Sequence, residues 1–126
     1  TEQDCIFCKI TNGQVASELL YLDHNIFVIR DINPKAPVHL LIIPKQHITS
    51  LVSGGANQTS NFGQMLVVAE KIKVEVSGYR LILNQGPDSG QDLVHIHLHL
   101  LGGVAWPQYD QPYLQLVEVT FQRMMG

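Results

Sequence analysis

Residues 93–101 read LVHIHLHLL, a stretch in which histidine and an aliphatic residue alternate. Successive side chains of a β-strand point to opposite faces, so the alternation predicts a strand with His95, His97 and His99 on one face. The aliphatic residues between the histidines would then enter the core. The predicted strand therefore has one face lined by three imidazoles and one face packed in the interior.

Three imidazoles in a row indicate either catalysis or metal binding. Alternate residues of a strand lie about 6 to 7 Å apart, whereas a zinc–nitrogen bond is about 2 Å, so the three cannot share one ion. Neutral imidazole is a competent nucleophile and the side chain that most readily transfers protons near neutral pH. We therefore expect a division of labour, in which His97 does the chemistry and its neighbours orient it or bind the substrate. The alternative is a half-exposed strand that is simply rich in histidine.

The composition is that of one globular domain. The chain has 126 residues, 45% hydrophobic and 15% charged, which is enough apolar surface for a single core. The net charge is -3 and the Lys and Arg residues are scattered, so polymeric nucleic acid is not expected as a partner. No apolar run approaches the roughly 18 to 20 residues that cross a bilayer, and the first residues are acidic. A cytoplasmic protein with no membrane partner is expected.

The remaining chain predicts an antiparallel α+β domain. A short N-terminal helix is expected over residues 6–12, and apolar residues at helical spacing from Phe62 to Val76 predict one long helix that ends at Gly78. Strands are predicted at residues 18–22, 25–30, 38–43, 79–84 and 93–101. Five strands joined mostly by hairpin-like connections give a five-stranded antiparallel sheet. The tail from residue 111 to 125 favours neither helix nor strand.

The histidine run resembles the His-x-His-x-His-x-x motif, with x apolar, of the histidine triad (HIT) superfamily. Further segments resemble its nucleotide-binding, Hint-like branch: DINPKAPVH at 31–39, the strand ending IPK at 43–45, Asn84, Gly90-Gln91 and Trp106-Pro107. The resemblance runs from about Cys5 to Pro107. Residues 1–107 are therefore expected to form a HIT-like nucleotide-binding domain. Residues 108–126 would be a C-terminal extension packed on or near that domain or a dimer partner.

The resemblance implies an antiparallel sheet with helices packed on one side, a homodimer, and a nucleotide hydrolase or transferase. The implied substrate is a nucleoside phosphoramidate or related nucleotide conjugate, with a purine base expected. His97 would attack the α-phosphorus and form a covalent nucleotidyl-histidine, and that step needs no cofactor. His99 and Asn84 would stabilise the charge that develops on the phosphate. His39, on the neighbouring strand, would order the histidine row, and His95 would share in the same network.

The resemblance also supplies the nucleotide-binding residues. Asp31 would accept the ribose hydroxyls, and Phe27 and Ile32 would flank the base. The phosphate and its surroundings would be contacted by Asn84, Gly90, Gln91, Asp92, Leu93 and Trp106. Asp92 departs from the pattern, because many relatives carry Ser there and a carboxylate repels a phosphate. A nucleotide-binding regulatory protein with little turnover is therefore the alternative to an enzyme.

The two cysteines stand as Cys5-x-x-Cys8, a spacing that fits half of a zinc site, redox exchange or ordinary packing. Some HIT-related proteins are similar in using such a pair together with two histidines, which here would be His47 and His95. That resemblance implies a structural zinc. The alternative is that the thiols are simply packed and His47 lies on a solvated turn. A third hypothesis is a metalloprotein that uses the histidine row and the cysteines for zinc alone.

Overall fold

The computed structural model describes residues 4–52, 56–72, 76–91 and 93–103. The helices in this part of the chain are α1 (Ile6–Thr11) and α2 (Ala56–Ile72), with a 3₁₀ turn at Pro87–Ser89. The strands are β1 (Tyr21–Leu22), β2 (Ile26–Arg30), β3 (Val38–Pro44), β4 (Tyr79–Leu83) and β5 (Leu98–Gly102). The proposed extension 108–126 lies outside the described residues.

The five strands form one antiparallel sheet in the order β1-β2-β3-β5-β4. The α+β architecture predicted from the sequence is therefore confirmed. The last strand in the chain is inserted between β3 and β4, so the two histidine-bearing strands β3 and β5 are direct neighbours. Their register pairs Leu41 with His99 and His39 with Leu101.

Both faces of the central strands are buried. On one face Ile26, Val28, Leu40 and Ile42 pack with Met65, Val68 and Ala69 of α2. On the other face Phe27, Ile29, Leu41 and Ile43 pack with Phe7 of α1. The runs IFVI and LLII are apolar at every position because a strand covered on both faces has no side that water reaches. The two helices thus lie on opposite faces of the sheet, whereas the resemblance implied one side.

The short helix α1 begins after Cys5 and ends just before Gly13. Cys5 is the N-cap residue in an extended conformation, so the chain enters the helix at the first cysteine. The Thr11 hydroxyl donates to the Phe7 carbonyl at 3.0 Å, and Gly13 follows with φ +76° and donates to the Ile10 carbonyl at 3.1 Å. A positive φ is accessible to glycine at little steric cost, which is why the helix stops here.

Three predicted boundaries were wrong. The first strand, expected from residue 18, begins at Tyr21. The strand expected from residue 93 begins at Leu98, because the Ile96 N–H donates to the Ile48 carbonyl at 2.8 Å and not to a neighbouring strand. The alternation of faces nevertheless extends through residues 96 to 100, with Ile96, Leu98 and Leu100 in the core beside α2. The long helix, described as far as Ile72, does not reach Gly78, because residues 76–78 are not helical and Val76 lies against Gly102. Among the described residues no helix has the length and apolar character needed to cross a membrane.

Candidate active site and cysteine–histidine cluster

Three imidazoles meet on the sheet face opposite α2. His39 lies on β3 and His99 on β5, and the register makes them diagonal neighbours on that face. His39 Nε2 is 2.9 Å from His99 Nδ1. His97 lies just before β5, with its ring centroid 5.0 Å from that of His99. The predicted row is therefore joined by His39 from the neighbouring strand, as the resemblance implied.

The main chain fixes the protonation of His39. The Lys35 N–H donates to His39 Nδ1 at 3.0 Å, so this nitrogen carries a lone pair. Neutral His39 then has its proton on Nε2, which donates to His99. Burial lowers the pKa of His39, the Asp31 carboxylate opposes this, and the Lys35 charge lowers it further. The net effect is a pKa below the usual value, which favours the neutral ring.

The proton position propagates to His99. Because His99 Nδ1 accepts from His39, a neutral His99 carries its proton on Nε2. Asp31 Oδ2 lies 3.3 Å from His39 Nε2 but 3.9 Å from His99 Nδ1, which is too long for a hydrogen bond. The hydrogen bonds from Lys35 to His39 and from His39 to His99 thus place a donor proton on His99 Nε2.

His97 has the opposite arrangement. Its Nδ1 is 2.8 Å from the backbone carbonyl of His95, and a carbonyl can only accept, so Nδ1 carries the proton. The neutral ring therefore has its lone pair on Nε2, which is the nitrogen that would act as a nucleophile. The residue is 6% exposed, and the ring of Phe7 packs against it with centroids 5.2 Å apart.

The nucleotide-binding residues named from the sequence are only partly gathered. Asp31 lies beside His39, and its Oδ1 accepts the Asn33 N–H at 2.8 Å, which orders the turn. Ile32 is 92% exposed next to it. Phe27 is 1% exposed inside the second core cluster, because β2 is covered on both faces. Ile32, and not Phe27, is thus the apolar side chain open to a ligand beside Asp31.

The loop before the histidine run is closed by Gln91. Its Oε1 accepts the Gly86 N–H at 2.8 Å, and its Nε2 donates to the Leu93 carbonyl at 2.9 Å. The Gln91 side chain therefore holds the loop together. Gly90 has φ +82°, a conformation that favours glycine, and Asn84 is half-buried at the end of β4. Leu93 packs on the cluster around Phe7, while Asp92 and Trp106 lie outside the described residues.

A second group of side chains, the cysteine–histidine cluster, consists of Cys5, Cys8, His47 and His95. Cys8 Sγ is 3.1 Å from His47 Nδ1, and His95 Nδ1 is 3.3 Å from Cys5 Sγ and 3.6 Å from Cys8 Sγ. All four ligand atoms lie within 4.8 Å of one another. Ligands about 2.0 to 2.3 Å from a tetrahedral zinc are separated by distances of this size. The four residues fit a zinc ion, as the resemblance implied.

The main chain also fixes the protonation of His95. Its Nε2 donates to the Pro44 carbonyl at 2.7 Å, so in the neutral ring the lone pair is on Nδ1, the atom that faces the thiols. A metal-bound histidine commonly donates its other ring N–H to a carbonyl in this way. His95 is 1% exposed, and its Nδ1 faces both sulfurs, so its side chain belongs to the cysteine–histidine cluster.

Three contacts were missed from the sequence. The Lys35 amide and the Pro44 carbonyl are main-chain groups, which no residue pattern identifies. Phe7 lies between the two cysteines and packs edge-on against both His95 and His97, at centroid distances of 5.5 and 5.2 Å. The one available signal was an aromatic residue inside the Cys-x-x-Cys motif.

Two clefts adjoin these groups in the described part of the chain. One of about 630 Å³ reaches Asp31 and His39 and is bounded by the C-terminal end of α2, but His97 does not line it. The other, of about 350 Å³, opens beside Cys8 and His47. The larger cleft thus borders the candidate active site without containing its nucleophile, whereas the smaller one gives access to the cysteine–histidine cluster.

Comparisons with known proteins agree with this geometry. A family profile described as "Scavenger mRNA decapping enzyme C-term binding" matches residues 4–109. The purine nucleoside phosphoramidase of Escherichia coli (strain K12) is 40% identical over 105 residues, which are 80% of this chain and 88% of that protein.

Solved structures are also similar. A HIT family hydrolase from Clostridium thermocellum has a TM-score of 0.81 and 39% identity, and the match covers 86% of this chain and 98% of that one. A Zn-bound histidine triad family protein from Mycobacterium smegmatis has a TM-score of 0.72 and 25% identity, covering 88% of this chain and 83% of that one.

Proposed function

The chain belongs to the histidine triad family, and on that basis we propose that it is a hydrolase of purine nucleoside phosphoramidates or related nucleotide conjugates. The observation that carries the proposal is the His97 Nδ1 hydrogen bond to the His95 carbonyl, which leaves Nε2 with a lone pair. The name of the Escherichia coli relative supports both the reaction and the purine base. No further observation favours the regulatory alternative.

The proposed first step is attack by His97 Nε2 on the α-phosphorus. A bond forms from Nε2 to phosphorus, the bond from phosphorus to the leaving nitrogen breaks, and the leaving amine takes up one proton from solvent, which is returned when water cleaves the nucleotidyl-histidine. The imidazole acquires positive charge as this happens, and the His95 carbonyl that accepts its Nδ1–H stabilises that charge.

Water then attacks the nucleotidyl-histidine, so the sum of both steps consumes one water and releases a nucleoside monophosphate and an amine. We assign the His99 Nε2–H to a phosphoryl oxygen, since His39 holds the proton on that side of the ring. Donors aimed at a phosphate whose charge grows in the transition state lower the barrier more than they strengthen ground-state binding. His39 acts through His99 and is a positioning residue.

Binding of the nucleoside is proposed to use the turn after β2. Asp31 would accept the ribose hydroxyls, and the exposed Ile32 would cover the base. The loop with Asn84, Gly90 and Gln91, together with Asp92, Leu93 and Trp106, is the proposed phosphate side. Residues 1–107 would supply all these groups as one domain, and 108–126 would be an extension of it.

We further propose that the cysteine–histidine cluster holds a structural zinc. Two thiolates and two imidazoles satisfy a tetrahedral ion, and the Pro44 carbonyl orients His95 toward it. When bound, the ion would neutralise the two thiolates and tie α1 to the segment before β5. The Zn-bound relative from Mycobacterium smegmatis supports this proposal.

A homodimer through α2 and the edge strand β4 is also proposed. Leu66 and Val67 on α2 are 54% and 55% exposed, and Ile82 on β4 is 38% exposed. Apolar side chains beside an unpaired strand edge favour association with a second copy. Sedimentation at several concentrations tests this, and a monomer at all of them would refute it. The cytoplasmic location stays a prediction.

The hydrolase proposal is tested by steady-state kinetics with adenosine phosphoramidate. His97→Ala should lower kcat by about a thousandfold or more, because it removes the nucleophile. His24→Ala, on the exposed hairpin between β1 and β2, is the matched control and should leave kcat unchanged. Equal activity of the His97 variant and the control would refute the role of His97.

A further inference from the structure

Phe7 links the cysteine–histidine cluster to the candidate nucleophile. It lies between Cys5 and Cys8 in the chain and is 2% exposed. Its ring meets His95 and His97 edge-on, with centroids 5.5 and 5.2 Å away. A change in the path of the chain between the two cysteines would therefore move an aromatic ring that packs on both imidazoles.

His95 is a second link. Its Nδ1 faces the two thiols, at 3.3 and 3.6 Å, while its backbone carbonyl accepts the His97 Nδ1–H at 2.8 Å. One residue thus belongs to the cluster by its side chain and to the active site by its main chain. Residue 95 precedes the first ladder position of β5, and the peptide unit that contains its carbonyl is held by the Ile96 N–H, which donates to the Ile48 carbonyl at 2.8 Å.

We propose that the cysteine–histidine cluster is a redox-sensitive control of the nucleophile, in which oxidation of Cys5 and Cys8 to a disulfide releases zinc and slows turnover. This inference rests on the proposed roles of His97 and of zinc. It differs from a purely structural zinc site, since the cluster would set the orientation of the reacting imidazole and not only the stability of the fold.

The oxidant is a peroxide. One thiolate attacks a peroxide oxygen, the O–O bond breaks, and a sulfenic acid and water form after one proton is taken up. The second thiolate then attacks the sulfenic sulfur, the S–S bond forms, and hydroxide leaves as a second water. Two thiolates lose two electrons, hydrogen peroxide gains them with two protons, and the zinc ion departs.

The cysteines are positioned for this reaction. Their sulfurs lie within 4.8 Å of each other, so side-chain rotation of a pair three residues apart can bring them to the roughly 2.05 Å of a disulfide. Cys5 is half-buried, and the 350 Å³ cleft beside Cys8 and His47 is large enough for hydrogen peroxide to enter.

Oxidation is expected to lower turnover without weakening nucleotide binding. Once the sulfurs are joined, His95 Nδ1 loses its partners in the cluster and Phe7 moves with the cysteines that flank it. The His97 ring would then no longer be confined to the orientation that presents Nε2. The proposed nucleoside contacts at Asp31 and Ile32 are not part of the cluster, so kcat should fall while nucleotide affinity persists.

The test is treatment of zinc-loaded protein with a stoichiometric amount of hydrogen peroxide. Zinc release is read with a chromogenic chelator, the disulfide by the mass of the peptide that holds both cysteines, and kcat and KM with adenosine phosphoramidate. We expect zinc release in proportion to disulfide, a fall in kcat of about tenfold or more, and KM within about twofold. A thiol reductant with added zinc should restore kcat, and His24→Ala should respond as the wild type does.

Two results of the zinc and activity measurements would overturn the inference. One is zinc release and disulfide formation with kcat unchanged, because the cluster would then not act on His97. The other is retention of zinc after peroxide treatment, because no switch would then exist. The variant Cys5→Ser/Cys8→Ser, if folded by circular dichroism, should have low kcat that peroxide does not lower further. Should it fail to fold, the wild-type measurements decide.

The ¹⁵N signals of the His97 imidazole separate this inference from the proposed hydrolase function, since they need no turnover. In reduced, zinc-loaded protein they should report one form, protonated on Nδ1, and after oxidation a mixture of both forms. Signals that change on oxidation in a protein without hydrolase activity would refute the hydrolase and support the link to His97. Signals that do not change would refute the link.

Discussion

Two compact groups of potential metal ligands occur in the described part of the chain, yet only one has its imidazole lone pairs arranged for a metal. Asp31, His39 and His99 form one group, and the cysteine–histidine cluster forms the other. In the first group the Lys35 N–H occupies His39 Nδ1, so a proton lies on Nε2, inside the group. In the second the Pro44 carbonyl takes the His95 Nε2–H, so a lone pair points inside.

The main-chain partner of each histidine therefore decides its chemistry. A backbone N–H can only donate and a carbonyl can only accept, so each selects one form of the neutral ring. A ring N–H that points toward the other side chains of its group favours hydrogen bonding to them, whereas a ring lone pair that points toward them favours metal binding. The same rule applies to His97, whose lone pair is exposed at Nε2 by the His95 carbonyl.

The largest expected effect is on stability. Cys8→Ser removes a thiolate from the cysteine–histidine cluster and should prevent zinc binding. When free zinc is a thousandfold above its Kd, the loss of this binding lowers the free energy of unfolding by about 4 kcal/mol. Urea unfolding with and without a chelator measures this. Asp31→Asn is the matched variant in the other group and should keep the full response to chelator. A wild type whose unfolding ignores the chelator would contradict the difference between the groups.

The next effect is on turnover through the hydrogen-bond chain. His39→Ala removes the donor that keeps the proton on His99 Nε2, so His99 can lose its proposed hydrogen bond to the charged phosphate. Such a hydrogen bond is worth about 1.5–3 kcal/mol, so kcat should fall roughly 10- to 100-fold. His39→Gln can still donate and should recover part of the loss. Zinc content, measured in the same preparations, should not change. Unchanged kcat in His39→Ala would show that His39 does not act on the reaction.

Much of this arrangement could be predicted from the sequence, and the limits have physical causes. The alternation of Ile96, Leu98 and Leu100 with the histidines indicated the two faces, and the five-stranded sheet was confirmed. The predicted start of β5 was wrong because hydrophobic periodicity indicates burial and not strand pairing. The Ile96 N–H donates to the Ile48 carbonyl and not to a neighbouring strand. Phe27 as a base contact stays a prediction, and its burial beneath α1 could not be predicted because it depends on the tertiary fold.

The protonation states could not be predicted at all. They depend on a main-chain amide four residues from His39 and on a carbonyl 51 residues from His95. Any residue except proline at position 35, and any residue at position 44, supplies the same main-chain group, so the sequence carries no sign of these bonds. Residue types indicated which side chains gather, and the backbone decided what each group does.

A smaller effect should follow from one amide hydrogen. Lys35→Pro removes the N–H that bonds to His39 Nδ1, so the ring is free to carry its proton there. We expect kcat to fall by up to about tenfold, as for the loss of one hydrogen bond, and zinc to become inhibitory at the active site. Lys35→Ala keeps the amide and is the control. Equal zinc inhibition of both variants would contradict the claim that the Lys35 N–H keeps zinc away from Asp31, His39 and His99.

The smallest expected effect is on the pH dependence of stability. The pKa of His39 is lowered in the folded state, mainly by burial, so the unfolded chain binds more protons below about pH 6.5. Stability should therefore fall as the pH drops below that value and reach its full level above it. Comparing urea midpoints of the wild type and His39→Gln at pH 7 and pH 5 isolates this contribution. A steeper acid loss in the variant would contradict the sign.

The role of His97 as a nucleophile is tested most directly by the configuration at phosphorus. Hydrolysis of a P-chiral adenosine phosphorothioamidate through a nucleotidyl-histidine involves two displacements, each with inversion, so the product should retain its configuration when water labelled with ¹⁸O marks the new oxygen. Retention is the predicted result. Inversion would mean that water attacks phosphorus directly, and it would contradict the proposed role of the His97 Nε2 lone pair.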